Sequence, residues 1–260
     1  MEGLLDYRSV EISYHGESVV RDISFSLKPG EILGIAGESG SGKSTIVRAA
    51  MGILGQGGRV TRGDIRFEGR SLPELPEREM RKLRGARIGM VFQDAGASLC
   101  PIRRIRDQIH ESMAAHRKVS RREAEERALE LFDRLGFHDG RRILDSYPFE
   151  LSGGMNQRVG IAIAMLMNPS ILLADEPTSA LDVCVQKQTV EELLMLRELC
   201  ETAMILVTHN IGVIRAMADT ILVLRYGEIV EYGAAAQVLK DPGAAYTKEL
   251  LAAVPRLKRA

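Results

Sequence analysis

The sequence has no excess of either charge. Lys and Arg number 35 and Asp and Glu number 35, so no net field draws the chain onto nucleic acid or anionic lipid, and no nucleic-acid partner is expected. It also lacks a long apolar run: the stretch from Gly160 to Met167 falls far short of the roughly 18 apolar residues a spanning helix needs. The first residues carry Glu2 and Asp6, with no apolar segment leading to a small-residue cleavage site, so no export signal is read there. Together these absences predict a chain that stays in the cytosol and reaches any membrane through a partner. Cysteines are few, and Cys100, Cys184 and Cys200 are scattered without a CxxC pair, so they read as reduced, structural thiols. Repeats and low-complexity segments are absent too. With 45% hydrophobic and 27% charged residues over 260 positions, the composition is that of a globular protein with room for one large domain or a domain with a smaller insert.

What is present is a change of period along the chain. From Leu5 to Leu27 apolar and polar residues alternate, as in strands of an antiparallel layer. Lys28-Pro29-Gly30 breaks that pattern, and Glu31 to Ala36 follows as a short apolar run without alternation, the mark of a strand covered on both faces. A glycine-rich turn lies near Gly55 to Gly58, short strands near Asp64 to Glu68, and another apolar strand at Ile88 to Phe92. From Ala95 to about Met165 the pattern turns helical. Ser120-Arg-Arg-Glu123 reads as a capping box, with Ala124, Ala128, Leu131 and Leu135 at helical spacing behind it. Apolar strands return at Ile171 to Ala174 and Met204 to Val207, with a helix over about Val185 to Leu199 between them. The residues from Ala234 onward read as one or two short helices.

Between the strand ending at Ala36 and the helix after it stands Gly37-Glu38-Ser39-Gly40-Ser41-Gly42-Lys43-Ser44, followed by Thr45. This satisfies GxxxxGK(S/T) in the strand-to-helix context that gives the motif meaning. The glycines let the backbone amides wrap a phosphate, the helix start adds a positive dipole, Lys43 reaches the outer phosphates and Ser44 can hold magnesium. A Gly/Ser-rich surface turn is the plainer reading, and its placement argues against it.

Further along come Leu151-Ser-Gly-Gly-Met155, Ile171-Leu-Leu-Ala-Asp175-Glu176, Ser179-Ala-Leu-Asp182 and Thr208-His209, in that order. Alone, the Asp-Glu pair could be a solvated strand end, the SGG stretch a linker and His209 a structural histidine. As a series they resemble the ATP-binding-cassette (ABC) ATPases over nearly the whole chain. The resemblance implies a single α/β domain over 1–260: a P-loop NTPase (RecA-like) core with an antiparallel β layer (1–93 and 166–233), an inserted α-helical subdomain (94–165) and a short tail (234–260). It implies ATP with Mg²⁺, the metal held by Ser44, Gln93 and Asp175. Glu176 would orient or deprotonate the attacking water, with His209, Lys43 and Gln93 completing the catalytic set. Tyr14 matches the adenine-stacking aromatic, although an aromatic in a strand is also a usual core residue. The amides of Gly37 to Thr45 would hold the phosphates, and Ser152, Gly153 and Gly154 would form a second anion site at a helix start.

Four local matches resemble the branch that serves peptide and nickel importers: Gln93-Asp94 with Ser98-Leu-Cys-Pro101, Tyr147 to Arg158 with methionine at 155, Thr208 to Val213, and Tyr246 to Pro255. Cys100 departs from the branch's asparagine, Asn210 from its aspartate, and Ala244-Ala245 from its frequent His-Pro. None of these removes a group needed for hydrolysis. The implied partners are a second, identical or related ATPase in a head-to-tail dimer, two transmembrane permease subunits and, indirectly, an extracytoplasmic solute-binding protein. The implied place is the cytoplasmic face of the inner membrane. A rival within the family, an ATPase acting on nucleic acid or ribosomes, would carry a long coiled-coil insert or two cassettes, and neither is present. The cargo, a small peptide or a nickel-type ligand, is never touched by such a subunit.

Overall fold

The computed structural model describes residues 3–179 and 181–253. Glu2, Ala180 and residues 254–260, which include Val254 and Pro255 of the tail motif, lie outside the described residues. The described chain forms two compact units, one made of residues up to Met80 with those from Ala203 onward, the other of Arg81–Thr202.

The first unit contains an antiparallel sheet in the order β2-β1-β4-β5, with β1 at Leu5–Tyr14, β2 at Glu17–Leu27, β4 at Gly58–Phe67 and β5 at Arg70–Ser71. The alternation read from Leu5 to Leu27 becomes this hairpin. Its buried face includes Tyr7 and Phe25, whose rings stack with centroids 4.5 Å apart. The Tyr7 hydroxyl donates to the Ile46 carbonyl at 2.6 Å. Since Ile46 lies in α1 (Lys43–Ala50), this buried bond ties the layer to the helix that follows the glycine-rich loop. Burial raises the Tyr7 pKa well above a phenol's usual value, which keeps the donor proton in place.

The same unit holds the strand β3 (Ile32–Ala36) between β9 (Thr220–Arg225) and β8 (Ala203–Val207), parallel to both, while β10 (Glu228–Ala234) pairs antiparallel with β9. Every residue of β3 and β8 is buried, which is why neither shows a period of two. Helix α9 (Ile211–Met217) lies so close to β3 that a Cβ on Gly34 would meet Ile214 Cγ2 at 3.0 Å and Ala218 Cβ at 3.1 Å. Helices α10 (Ala235–Lys240) and α11 (Ala245–Ala252) are the short tail helices expected.

The chain passes between units through α2 (Glu77–Leu83). The second unit pairs β6 (Ile88–Val91) in parallel with β7 (Ile171–Asp175) and carries the helices α3 (Ala95–Ser98), α4 (Ile105–Ala114), α5 (Arg121–Arg134), α6 (Gly140–Asp145), α7 (Gly153–Met165) and α8 (Val183–Cys200). Ser120 caps α5 by accepting from the Glu123 amide at 3.2 Å, and Ala124, Ala128, Leu131 and Leu135 are buried, as their spacing predicts. Close packing of α7 on β6 leaves no side-chain space at Gly89, where a Cβ would meet the Ala164 carbonyl at 2.8 Å. No described helix is long and apolar enough to cross a membrane. The cysteines are unbonded; Cys100 and Cys200 are half-buried, but Cys184 is exposed at the start of α8, so the structural role expected of all three does not extend to it.

Buried charge ties α7 to α8. Arg158 meets Glu192 at 2.6 Å, with both side chains nearly inaccessible, and the guanidinium lies 4.1 Å from the Phe137 ring centroid while donating to the Leu135 carbonyl. Burial raises the Glu192 carboxyl above its ordinary value, against the lowering effect of Arg158. Removing one partner strands the other in a dry interior. Glu192→Leu is expected to lower the free energy of unfolding by about 3–5 kcal/mol, read from urea denaturation midpoints at constant slope.

Candidate functional site

The first unit builds the phosphate loop from the end of β3. Gly37 leaves the strand with φ of 151°, and a Cβ there would meet the Leu224 carbonyl at 2.2 Å and Ser41 Oγ at 2.8 Å. Gly40 has φ of 80° and open space above it. The chain then enters α1 at Lys43, with Ser44 and Thr45 half-buried in its first turn and Glu38, Ser39 and Gly40 exposed. Lys43 is buried, and its Nζ donates to the carbonyls of Gly37 at 2.9 Å and Glu38 at 2.6 Å, so the ammonium closes the loop on itself. Ser41 Oγ is buried in the loop without a partner, a polar atom suited to a ligand oxygen. The loop therefore fits a polyphosphate: a positive group, a helix start and an unsatisfied hydroxyl converge on glycine backbone.

His209 is brought to the same sheet edge. Ile35 of β3 pairs with Val207 of β8, so the residues leaving both strands emerge side by side, and the Thr208 amide bonds the Ile35 carbonyl at 3.4 Å. His209 is exposed there, while Asn210 caps α9 by accepting from the Gly212 amide at 2.8 Å. The change from aspartate to asparagine thus keeps a capping oxygen. Tyr14 ends β1, half-buried, opposite Gly58, where a Cβ would meet its Cε1 at 2.6 Å.

The second unit gathers the carboxylates. Val91 pairs with Ala174, so Gln93 and the Asp175-Glu176 pair leave one edge of the β6 and β7 strands. Asp175 and Glu176 are buried, with 1% and 8% exposure, which rules out the plain reading of a solvated strand end. Glu176 has φ of 52°, a left-handed conformation that costs a non-glycine residue on the order of 1 kcal/mol and recurs at functional sites. The Ser179 hydroxyl is shared between the Gln93 carbonyl at 3.1 Å and the Glu176 carbonyl at 2.9 Å, which locks the two strand exits together. Gln93 is exposed, and Asp94 caps α3 by accepting from the Ala97 amide at 2.9 Å.

Helix α7 begins at the residues expected to form a second anion site. Ser152 caps it, accepting from the Met155 amide at 3.2 Å, and stays exposed. Nothing lies within 4 Å of a Cβ placed on Gly153, whereas Gly154 faces Val185 of α8 at 2.8 Å. The flexible-linker reading of the SGG stretch fails because these residues are the ordered start of a helix. Gln157 Nε2 donates to the Pro177 carbonyl at 2.8 Å in a buried bond, so α7 is fastened to the segment that follows Glu176. Among groups whose residue type predicts no role, Ser179 and Gln157 stand inside the motifs, and Tyr246 stands in the tail motif. The backbone groups they bond are invisible to a pattern of residue types.

The geometry of the loop separates two glycine substitutions. Gly37→Ala collides with backbone and is expected to weaken ATP binding at least about tenfold, whereas Gly40→Ala meets only dihedral strain on the order of 1 kcal/mol. Calorimetric titration of both variants with ATP checks the order.

A protein-family profile described as ABC transporter matches residues 20–179. The oligopeptide transport ATP-binding protein OppD of Salmonella typhimurium is 45% identical over 240 residues, covering 92% of this chain and 71% of that protein. OppD of Escherichia coli is 42% identical over 260 residues (98% and 77%), and the dipeptide transport ATP-binding protein DppD of Lactococcus lactis 39% over 259 (98% and 74%). Among solved structures, a dimeric post-hydrolysis state of the ATP-binding cassette MJ0796 bound to ADP and Pi superposes with a TM-score of 0.77 at 31% identity, covering 89% of this chain and 98% of that one. With the phosphate loop, the buried carboxylates and the SGG-capped helix in this order and setting, the chain belongs to the ABC transporter family and is one of its ATP-hydrolysing cassettes.

Proposed function

We propose that this cassette drives uptake of small peptides through a membrane permease, at the cytoplasmic face of the inner membrane. The peptide-transport names of its relatives favour a peptide over a nickel-type ligand. The amides of Gly37 to Thr45 and Lys43 hold the ATP phosphates, and Tyr14 stacks on the adenine. Ser44, Gln93 and Asp175 hold Mg²⁺; hydroxyl, amide and carboxylate oxygens are the hard donors that ion takes. Glu176 orients or deprotonates the attacking water and His209 contacts the outer phosphate. When bound, the metal would neutralise charge on the phosphates; the protein's part is to hold the nucleotide and the water in line.

The exposed cap of α7 carries this reading. Ser152 and Gly153 face outward with room above them, which suits a surface that closes on a nucleotide held by another subunit. The working unit is therefore a head-to-tail pair with an identical or related ATPase, in which the loop of one subunit and the Ser152-Gly153-Gly154 cap of the other share each ATP. Closure pulls the pair together and hydrolysis releases it, turning two permease subunits between their openings, with an extracytoplasmic solute-binding protein delivering the cargo. The helical subdomain (94–165), set into a core (1–93 and 166–233) and followed by a tail (234–260), receives the permease just after Gln93. Ile102 at 81% exposure and Phe149 at 71% support that contact, being large apolar side chains left bare in this unit.

Glu176→Gln is expected to keep ATP binding and cut phosphate release by the assembled transporter roughly 10²- to 10⁴-fold. Turnover near wild type would remove Glu176 from the chemistry. Ser152→Arg is expected to leave nucleotide titration of the single subunit unchanged while abolishing hydrolysis; undiminished activity would mean that the α7 cap does not complete a neighbour's site.

A further inference from the structure

The tail reaches the phosphate loop through one side chain. Tyr246, in the first turn of α11 and 5% exposed, accepts a hydrogen bond at its hydroxyl from the backbone amide of Glu38 at 3.2 Å, across 208 positions of sequence. The Glu38 carbonyl, on the other side of the same residue, accepts from Lys43 Nζ at 2.6 Å. Glu38 is thus held from α1 by Lys43 and from α11 by Tyr246, in addition to the turn bond that its carbonyl accepts from the Ser41 amide at 3.2 Å.

The phenol is itself held in place. The Arg225 guanidinium lies 4.4 Å from its ring centroid, and the ring packs in an apolar cluster with Ala36, the residue just before the loop, and with Ile211, Val223 and Val238. The Glu231 carboxylate accepts from the amides of Gly243 at 2.7 Å and Ala244 at 3.2 Å, which fixes the entry into α11. Burial works to raise the Glu231 pKa, but the nearby Thr247 hydroxyl and those two amides outweigh it and keep the carboxyl below its ordinary range, charged at neutral pH. A side chain so constrained carries information about position.

We propose that Tyr246 is a positioning residue of the nucleotide site: through Glu38 it holds the first limb of the phosphate loop in the shape that receives the phosphates. The reason lies in Lys43. To meet phosphate oxygens, its ammonium must turn away from the Gly37 and Glu38 carbonyls, and the hold of α1 on Glu38 is lost on binding. The Tyr246 bond does not involve Lys43 and survives that exchange. Without it the limb keeps the turn bond from the Ser41 amide to the Glu38 carbonyl, 3.2 Å, and its ordering is drawn from binding energy. Tail helix α11 thereby becomes part of the nucleotide site without touching the nucleotide.

Tyr246→Phe tests this in the full chain because it deletes the hydroxyl and leaves the ring, its packing and the Arg225 contact. The expected results are a Kd for ATP raised roughly 2- to 10-fold, the worth of one net hydrogen bond, and faster amide hydrogen exchange at Glu38 to Ser41 with α11 amides and the melting temperature unchanged. Tyr246→Leu, which also removes the ring contacts, should lower the melting temperature and speed exchange in α11 as well. Wild-type ATP affinity and wild-type exchange at Glu38 in the Phe variant would overturn the proposal, leaving Tyr246 as packing alone.

Discussion

A buried ammonium held by the carbonyls of its own loop is the constraint around which this structure is organised. Lys43 sits inside the protein, where an unsatisfied charge is costly, and the Gly37 and Glu38 carbonyls of its own loop are among the groups that accept from it. In the proposed function that arrangement is exchanged for contacts with phosphate. It requires Gly37, since a side chain there would occupy the space of the Leu224 carbonyl, and it requires a fixed α1, which the buried Tyr7 hydroxyl secures by bonding Ile46. The antiparallel layer therefore positions a charge as well as covering a core.

The second unit solves a comparable problem for negative charge. Asp175 and Glu176 end a strand whose residues are all buried, and Glu176 takes a left-handed backbone that ordinary turns leave to glycine. Such a conformation persists only when neighbours determine it, and here Ser179 bridges the Glu176 and Gln93 carbonyls while Gln157 grips Pro177. The same Gln157 belongs to α7, so the exposed Ser152 cap and the buried carboxylate segment are mechanically one piece. In the proposed head-to-tail pair, that rigidity would link the Ser152 cap to the carboxylate that faces the water.

Much of this was legible as pattern. Short apolar runs without alternation marked β3, β7 and β8 because burial on both faces removes the polar positions, and Ser120 with Glu123 marked the start of α5 because helix ends need a side-chain acceptor. Gly37 to Ser44, Asp175-Glu176, Ser152 and His209 stand out as residue types whose expected chemistry is local, asking for little more than a strand end or a helix start. The exposure of Cys184 was not legible, since a thiol reads the same in sequence whether it is buried or at a helix surface.

By itself, then, the sequence determined the first hairpin, the buried strands β3, β6, β7 and β8, the helical stretch after Ala95, the phosphate-loop motif, the carboxylate pair and the family, all of which depend on neighbours a few positions apart, whereas β9 and β10 carried no mark that was read. Only the tertiary structure decided that Tyr7 anchors α1, that Arg158 is neutralised by Glu192, and that Tyr246 holds Glu38 from 208 positions away. The physical reason is the same in each case: these are bonds between a side chain and a group that folding brings near, often a backbone N–H or C=O. Every residue carries such groups, and they leave no mark in a string of residue names.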